Sequence, residues 1–332
     1  MPRGRGWGIA AFVLSLLATI QTFIVNSMGF LDAATGSAFG CGHEWLHCNN
    51  QIIPSQWGLH TAIEFMHRVG VPILTVLLLA TIVLANVRYR KWIEIPIFSA
   101  ISIFFVILEA FLGAMAVVHD EPPAVIATHF GVSLLAFSSS LLLTIYIWRA
   151  ERVRRASLES GRLMPLREVN LTRGLRLWAW LAIPYIYIAM YVGAYISSSD
   201  AGDSFRGWPI PTESVTAPND ALALDWLHRS LALILVLWMV LLFVKAYRTR
   251  GERRDLYTGT VFALVFVVLQ AFSGMYLVLT HMSLLAFLIH VSVITGLFGT
   301  LCFIAVQTLP PSRRSVREPD APGRDIRTGS RI

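Results

Sequence analysis

The stretch EFMHR, residues 64–68, returns as DWLHR at residues 225–229, an interval of 161 residues (67 to 228). The same interval carries His129 onto His290 and EAFLG (109–113) onto QAFSG (270–274). Glu64 becomes Asp225 under this shift. Shared residues at one fixed spacing, spread along the chain, mark an internal duplication. The residues around these motifs say what kind of unit is duplicated.

Both motifs sit in long apolar runs. The 332-residue chain is 55% hydrophobic and only 14% charged, with a mean hydropathy of +0.63. Soluble domains carry about a quarter charged residues, so a soluble globular fold is excluded. A helix needs about 20 mostly apolar residues to cross hydrocarbon. Eight runs meet that length, roughly 7–31, 59–86, 92–118, 124–148, 175–197, 223–247, 257–279 and 283–308. The expected fold is an all-α membrane protein with eight transmembrane helices. Its expected parts are an N-terminal four-helix unit (7–148), a basic cytoplasmic linker (149–174), a C-terminal four-helix unit (175–308) and a disordered cytoplasmic tail (309–332). An even number of spans keeps both units the same way up, giving two tandem four-helix bundles related by a pseudo-two-fold axis along the membrane normal.

Basic residues set the expected orientation. Arg3 and Arg5 precede the first run, RYRK (88–91) joins the second and third, and KAYRTRGERR (245–254) joins the sixth and seventh. Arg149, Arg152, Arg154, Arg155, Arg162, Arg167, Arg173 and Arg176 lie between the fourth and fifth, and Arg313, Arg314 and Arg317 in the tail. The alternate loops hold one basic residue, Arg206, so both termini are expected in the cytoplasm of a multi-pass cell-membrane protein. The +7 net charge is this bias, with the clusters facing anionic lipid heads. Divided among separate segments, these arginines form no nucleic-acid surface. The first run is longer than a signal-peptide apolar region and MGFLDAATG is a poor cleavage site, so it reads as a retained helix.

Depth constrains the histidines. Running inward from Leu59, the second helix puts His67 about 12 Å below the outer surface at about 1.5 Å per residue. His129 lies a few residues into the fourth helix, and His228 and His290 repeat the arrangement in the sixth and eighth. Ionisable side chains at such depth face the bundle interior with a function or a partner. Two imidazoles facing each other inside a four-helix unit form the usual cradle for haem iron; a single such residue would read as a buried histidine hydrogen-bonded to a neighbouring helix, but four in duplicated register favour haem ligation. Zinc is the weaker reading, because the second half lacks a Cys or carboxylate complement. Covalent c-type haem is not expected without a C-x-x-C-H motif. His60, His119 and His281 lack repeat mates and read as interfacial.

CGHEWLHCNN, residues 41–50, places Cys41, Cys48, His43 and His47 together on the expected outer side, where disulfides persist. From these residues alone a disulfide-closed loop, a metal site and a chance grouping stay open.

TGSAFGCGHEWLHCNNQIIP (35–54) followed by EFMHR resembles the first outer loop and second helix of the haem A synthase family. The second HR (228–229) and the histidines at 129 and 290 fit it too, so the resemblance covers about residues 7–308. It implies a tandem four-helix membrane enzyme that oxidises the C8 methyl of haem O to the formyl of haem A, with haem b as cofactor. It also implies haem O synthase and terminal oxidase assembly as partners. His67 and His129 match the family's substrate-haem pair, His228 and His290 its haem b pair, and Glu64 its acid beside the first histidine. Cys41 and Cys48 match the family's loop pair, implying a disulfide or redox-active dithiol and no metal. Closing so short a loop contributes only about 2–3 kcal/mol, so shaping a lid over the haem edge is the expected purpose. Two features depart from the family. SSSDAGDSFRGWPIPTESV (197–215) lacks a second cysteine pair, and Glu109 stands where glutamine is frequent, as at its repeat mate Gln270. Cys302 is expected to pack unpaired.

No side chain can oxidise an unactivated methyl group, so a haem must supply that chemistry. Two successive oxidations would give an alcohol and then a gem-diol, which loses water to the aldehyde. Glu64, one turn from His67 on the same helical face, is the expected catalytic acid, stabilising positive charge on the methyl carbon or positioning a water; the alternative is that it only orients His67 or pairs with Arg68. Arg68 and Arg229 are expected partners for haem propionates. Glu109 reads equally as a proton relay or an interhelical hydrogen-bonding group. The competing reading is a di-haem b electron-transfer or haem-carrier protein without catalysis on haem. Histidine pairs confined to one leaflet argue against a wire across the membrane. A transporter would need broken helices near the midplane.

Overall fold

The computed structural model describes residues 3–44, 47–168, 173–198, 207–212 and 219–311. Arg206, most of the tail and its arginines 313, 314 and 317 lie outside the described residues. Among the described residues the chain forms eight helices and no strand: α1 (Arg3–Thr35), α2 (Leu59–Tyr89), α3 (Glu94–Val118), α4 (Pro123–Glu159), α5 (Arg173–Ser198), α6 (Asn219–Arg248), α7 (Arg254–Leu279) and α8 (Leu284–Gln307). All eight are long and apolar enough to span a membrane. Hydrocarbon offers backbone groups no water, so each segment satisfies them internally as a helix. Neither Pro72 in α2 nor Pro184 in α5 breaks its helix.

The largest departure from the apolar runs is at α4. The start of the basic connection, 149–159, continues this helix because its Arg, Ala and Glu residues are good helix formers. Glu151 anchors the extension to α2, accepting from Arg88 Nη2 at 3.0 Å and Tyr89 Oη at 2.6 Å.

The duplication recurs in the backbone. The 161-residue shift carries the end of α3 onto that of α7, and the start of α4 onto that of α8. The hairpins between them use positive φ at matching positions, Asp120 (56°) and Glu121 (52°), then His281 (53°) and Met282 (59°). In the first half α1 packs on α2 and α4, and α3 on α4. In the second, α5 packs on α6 and α8, and α7 on α6 and α8. Each half has its own apolar core, one including Leu74, Leu78 and Leu143, the other Ile186, Met239 and Phe298.

The halves meet where α4 crosses α8. Lipid is as apolar as leucine, so close backbone approach and buried hydrogen bonds hold such a seam together. A Cβ at Gly299 would come 3.0 Å from Leu141 and 3.2 Å from Phe137, so glycine sets the approach. Toward the basic end, Gln307 Nε2 donates to Tyr146 Oη at 3.1 Å, and its Oε1 accepts from Arg149 at 2.6 Å. Tyr146 and Gln307 are themselves 161 residues apart, so a residue touches its own repeat mate. Buried Arg253 adds a bond of 2.7 Å to the Gln307 carbonyl.

Gln307→Leu should strip Tyr146 and Arg149 of a buried partner, at about 1–3 kcal/mol for each group left unsatisfied. Thermal unfolding in detergent should show a lowered midpoint at unchanged helical content. An unchanged midpoint would contradict this account of the seam.

Candidate functional site

In the first half Glu109 faces both His67 and His129, in the second His228 faces His290, and each ring rests against a glycine of a neighbouring helix. A Cβ at Gly29 on α1 would lie 3.3 Å from His67, and one at Gly113 on α3 would lie 3.7 Å from His129. In the second half the distances are 2.7 Å from Gly193 on α5 to His228 and 3.4 Å from Gly274 on α7 to His290. At Gly193 any larger residue would displace the ring. Odd-numbered helices thus supply flat floors, and even-numbered ones supply the imidazoles.

The partners of the rings differ between halves. His67 Nδ1 lies 3.8 Å from Asp32 Oδ2, and His129 Nδ1 lies 3.2 Å from Glu109 Oε2. The second contact is at ion-pair distance but off the axis of a hydrogen bond, since His129 Nδ1 has no aligned partner. His290 Nδ1 instead meets neutral groups, Ser273 Oγ at 2.9 Å and Gln270 Nε2 at 3.2 Å.

Buried polar atoms without a hydrogen-bond partner gather at these two places. Among the described residues they include Asp32 Oδ1, Glu109 Oε1 and His129 Nδ1 in the first half. In the second they include Arg229 Nη2 and Gln270 Oε1. Buried polar groups are normally paired, so such clustering marks sites built to receive a polar or metal-bearing group. Buried imidazole pairs packed against glycines suit haem, for which histidine is a common ligand. Among the described residues no group of three or more His, Cys, Asp or Glu residues is placed to hold a metal ion directly.

Cys41 and Cys48 form a disulfide, with Cα atoms 4.2 Å apart. His43 turns away to Asp120 Oδ1 at 3.2 Å, bridging the loop to the α3–α4 hairpin. The loop is fastened to α2 by the motif that opened the sequence reading. Glu64, only 2% exposed, accepts from the Cys41 amide at 2.5 Å and from the Arg68 guanidinium. Arg68 also donates to the carbonyls of Glu44, His47 (2.9 Å) and Gly42 (3.5 Å). Arg229 repeats the device, donating to the carbonyls of Gly207 (2.8 Å) and Pro209 (3.0 Å) while its Nε lies 2.8 Å from Asp225. The acid and arginine of each motif therefore hold a loop over the end of their half, a task that spacing alone does not reveal.

His60 is accounted for locally, with its Nδ1 2.9 Å from Ser37 Oγ. Cys302 is free in α8. The sequence reading missed Asp32. Its only signal was an acid just past the end of the first apolar run, with glycine (Gly193) 161 residues on. Glu121, in the α3–α4 hairpin, also faces Asp32; burial, reinforced by that charge, pushes its carboxyl above the usual carboxylate range.

The family model described as cytochrome oxidase assembly protein (COX15-CtaA) matches residues 12–302. The chain belongs to this family. Similar proteins include the haem A synthase of Staphylococcus epidermidis (strain RP62A), 32% identical over 90% of this chain and 96% of that protein. The haem A synthases of Staphylococcus saprophyticus (32%, covering 89% and 95%) and Staphylococcus aureus strain MSSA476 (32%, covering 92% and 96%) are similarly related. The COX15-CtaA match spans both histidine pairs and the disulfide loop.

Arg68→Gln should free the disulfide loop, and Arg229→Gln the segment at 207–212. Hydrogen exchange should show faster exchange confined to the loop served by the mutated arginine. Unchanged exchange in both variants would mean that the loops are held by other contacts.

Proposed function

We propose that this protein is a membrane oxidoreductase that converts haem O to haem A for terminal oxidase assembly, acting at the C8 methyl. The observation that carries this reading is the pair of glycine-floored bis-histidine sites, one per half, in a chain of this family. His228 and His290 would hold haem b as resident cofactor, and His67 and His129 the substrate haem. When bound, haem b supplies the redox chemistry that no side chain provides. The two units are related by a pseudo-two-fold axis along the membrane normal, a reading supported by the contact between Tyr146 and its repeat mate Gln307. The protein sits in the cell membrane with both termini in the cytoplasm, and haem O synthase supplies its substrate.

The remaining work belongs to the chain's own residues. Ser273 orients His290 through Nδ1, while Gln270 Nε2 lies against both ring nitrogens, at 3.2 Å from Nδ1 and 3.0 Å from Nε2. Glu109 and Asp32 instead act on His129 and His67 through charge, from carboxylates 3.2 and 3.8 Å away. Glu64 and Arg68 hold the disulfide loop down, excluding water from the first-half site. Glu64, paired with Arg68, would place a carboxylate one turn from His67, where it could position the substrate or a water. The unpartnered Arg229 Nη2 is available to a propionate.

His228→Ala or His290→Ala should remove the low-spin b-type spectrum from a protein that still inserts, whereas His60→Ala should retain it. A full spectrum in both ligand variants would sink the assignment.

In cells supplying haem O, Glu64→Gln should keep bound haem b but cut haem A severalfold or more, as read by chromatography of extracted haems. Asp225→Asn should mainly shift the spectrum of the resident haem. Near-normal haem A from Glu64→Gln, with loss from Asp225→Asn, would reverse the roles of the halves.

A further inference from the structure

The 161-residue shift aligns the four histidines and the α3 and α7 motifs, while in α1 and α5 the glycines against the rings, Gly29 and Gly193, are 164 residues apart; the differences between the sites are therefore informative. Asp32, beside His67, maps onto Gly193, beside His228. Glu109, beside His129, maps onto Gln270, beside His290. The motif acids leave no imbalance, because Glu64 is matched by Arg68 and Asp225 by Arg229. Among the described residues, the first half thus holds two carboxylates beside its rings that have no counterpart in the second. Each has one buried oxygen without a hydrogen-bond partner.

Charge in a water-poor bundle acts strongly on neighbouring charge. Ferric haem carries one more positive charge than ferrous haem, so nearby carboxylates favour the ferric form. Groups contacting the axial histidines are the means by which a protein tunes the iron. Neutral amide, hydroxyl and glycine neighbours exert no comparable pull.

We propose that Asp32 and Glu109 hold haem iron in the first half at a lower reduction potential than haem iron in the second, making them specificity-determining residues that separate the substrate side from the cofactor side. The ferric state is then favoured between His67 and His129, and the ferrous state between His228 and His290. This rests on the reading that each histidine pair holds a haem, and it assigns the difference between otherwise duplicated sites to two positions.

The test transplants the first-half chemistry into the second half of the holoprotein. With the solution poised at the wild-type midpoint, Gln270→Glu should raise the ferric-to-ferrous ratio of the resident haem tenfold or more, about 59 mV for a one-electron couple. Gln270→Ala, which removes the amide without adding charge, should shift the ratio far less. Ser273→Asp, at the other group contacting His290 Nδ1, should act in the same direction as Gln270→Glu. Equal shifts in the Glu and Ala variants, or no shift in either acidic variant with haem bound, overturn the proposal. If neither acidic variant keeps its haem, haem b titrated into wild-type and Glu109→Gln holoprotein decides. The added haem should be at least tenfold more reduced in Glu109→Gln at a fixed potential, and equal ratios overturn the proposal. Failure of the ligation reading has a separate signature, a b-type spectrum that survives His290→Ala.

Discussion

An imidazole in the hydrocarbon of a membrane must have a partner, and this chain carries four at matched positions. The rest of the structure follows from meeting that requirement twice. Helices α2, α4, α6 and α8 bring the rings in, while α1, α3, α5 and α7 supply the glycines that let the rings lie close. Buried groups left unpartnered at both places show that the bundle alone does not complete the arrangement. A group with two open axial positions and a flat face would complete it.

Closure of the sites depends on the same short motif. An acid at one position and an arginine four residues later form a pair on the helix surface, and the arginine reaches onward to loop carbonyls. In the first half the loop is further stiffened by the Cys41–Cys48 disulfide and bound at the Cys41 amide by Glu64. In the second half no cysteine is present in the segment, and Arg229 holds it through Gly207 and Pro209. Duplication followed by divergence accounts for a shared latch with different loops.

The sequence made the helices legible because spanning length and apolar content are set by the bilayer, and the described helices fall on the expected runs. It did not reveal the extension of α4 to Glu159, since a helix leaving the membrane loses its hydropathy signal while keeping its propensity. The histidine register was readable through the repeat. The loop remained ambiguous on its residues alone, because cysteines and histidines at such spacing suit both disulfide and metal chemistry. Asp32 escaped notice for the opposite reason: it has no repeat mate, and only the packing of α1 brings it to His67. The latching by Arg68 and Arg229 was hidden because the carbonyls they bind depend on the path of a loop.

The central claim is that the two sites have different occupants, a resident haem b in the second half and exchanging haem O or haem A in the first. Extraction and mass analysis of haem from protein expressed with and without a haem O supply tests it most directly, using wild type and His67→Ala. The account predicts an unchanged haem b content per chain in all four preparations. It also predicts that haem O and haem A appear only with the supply and only in the wild type. Haem b that falls in His67→Ala, or haem A that persists undiminished there, would contradict it.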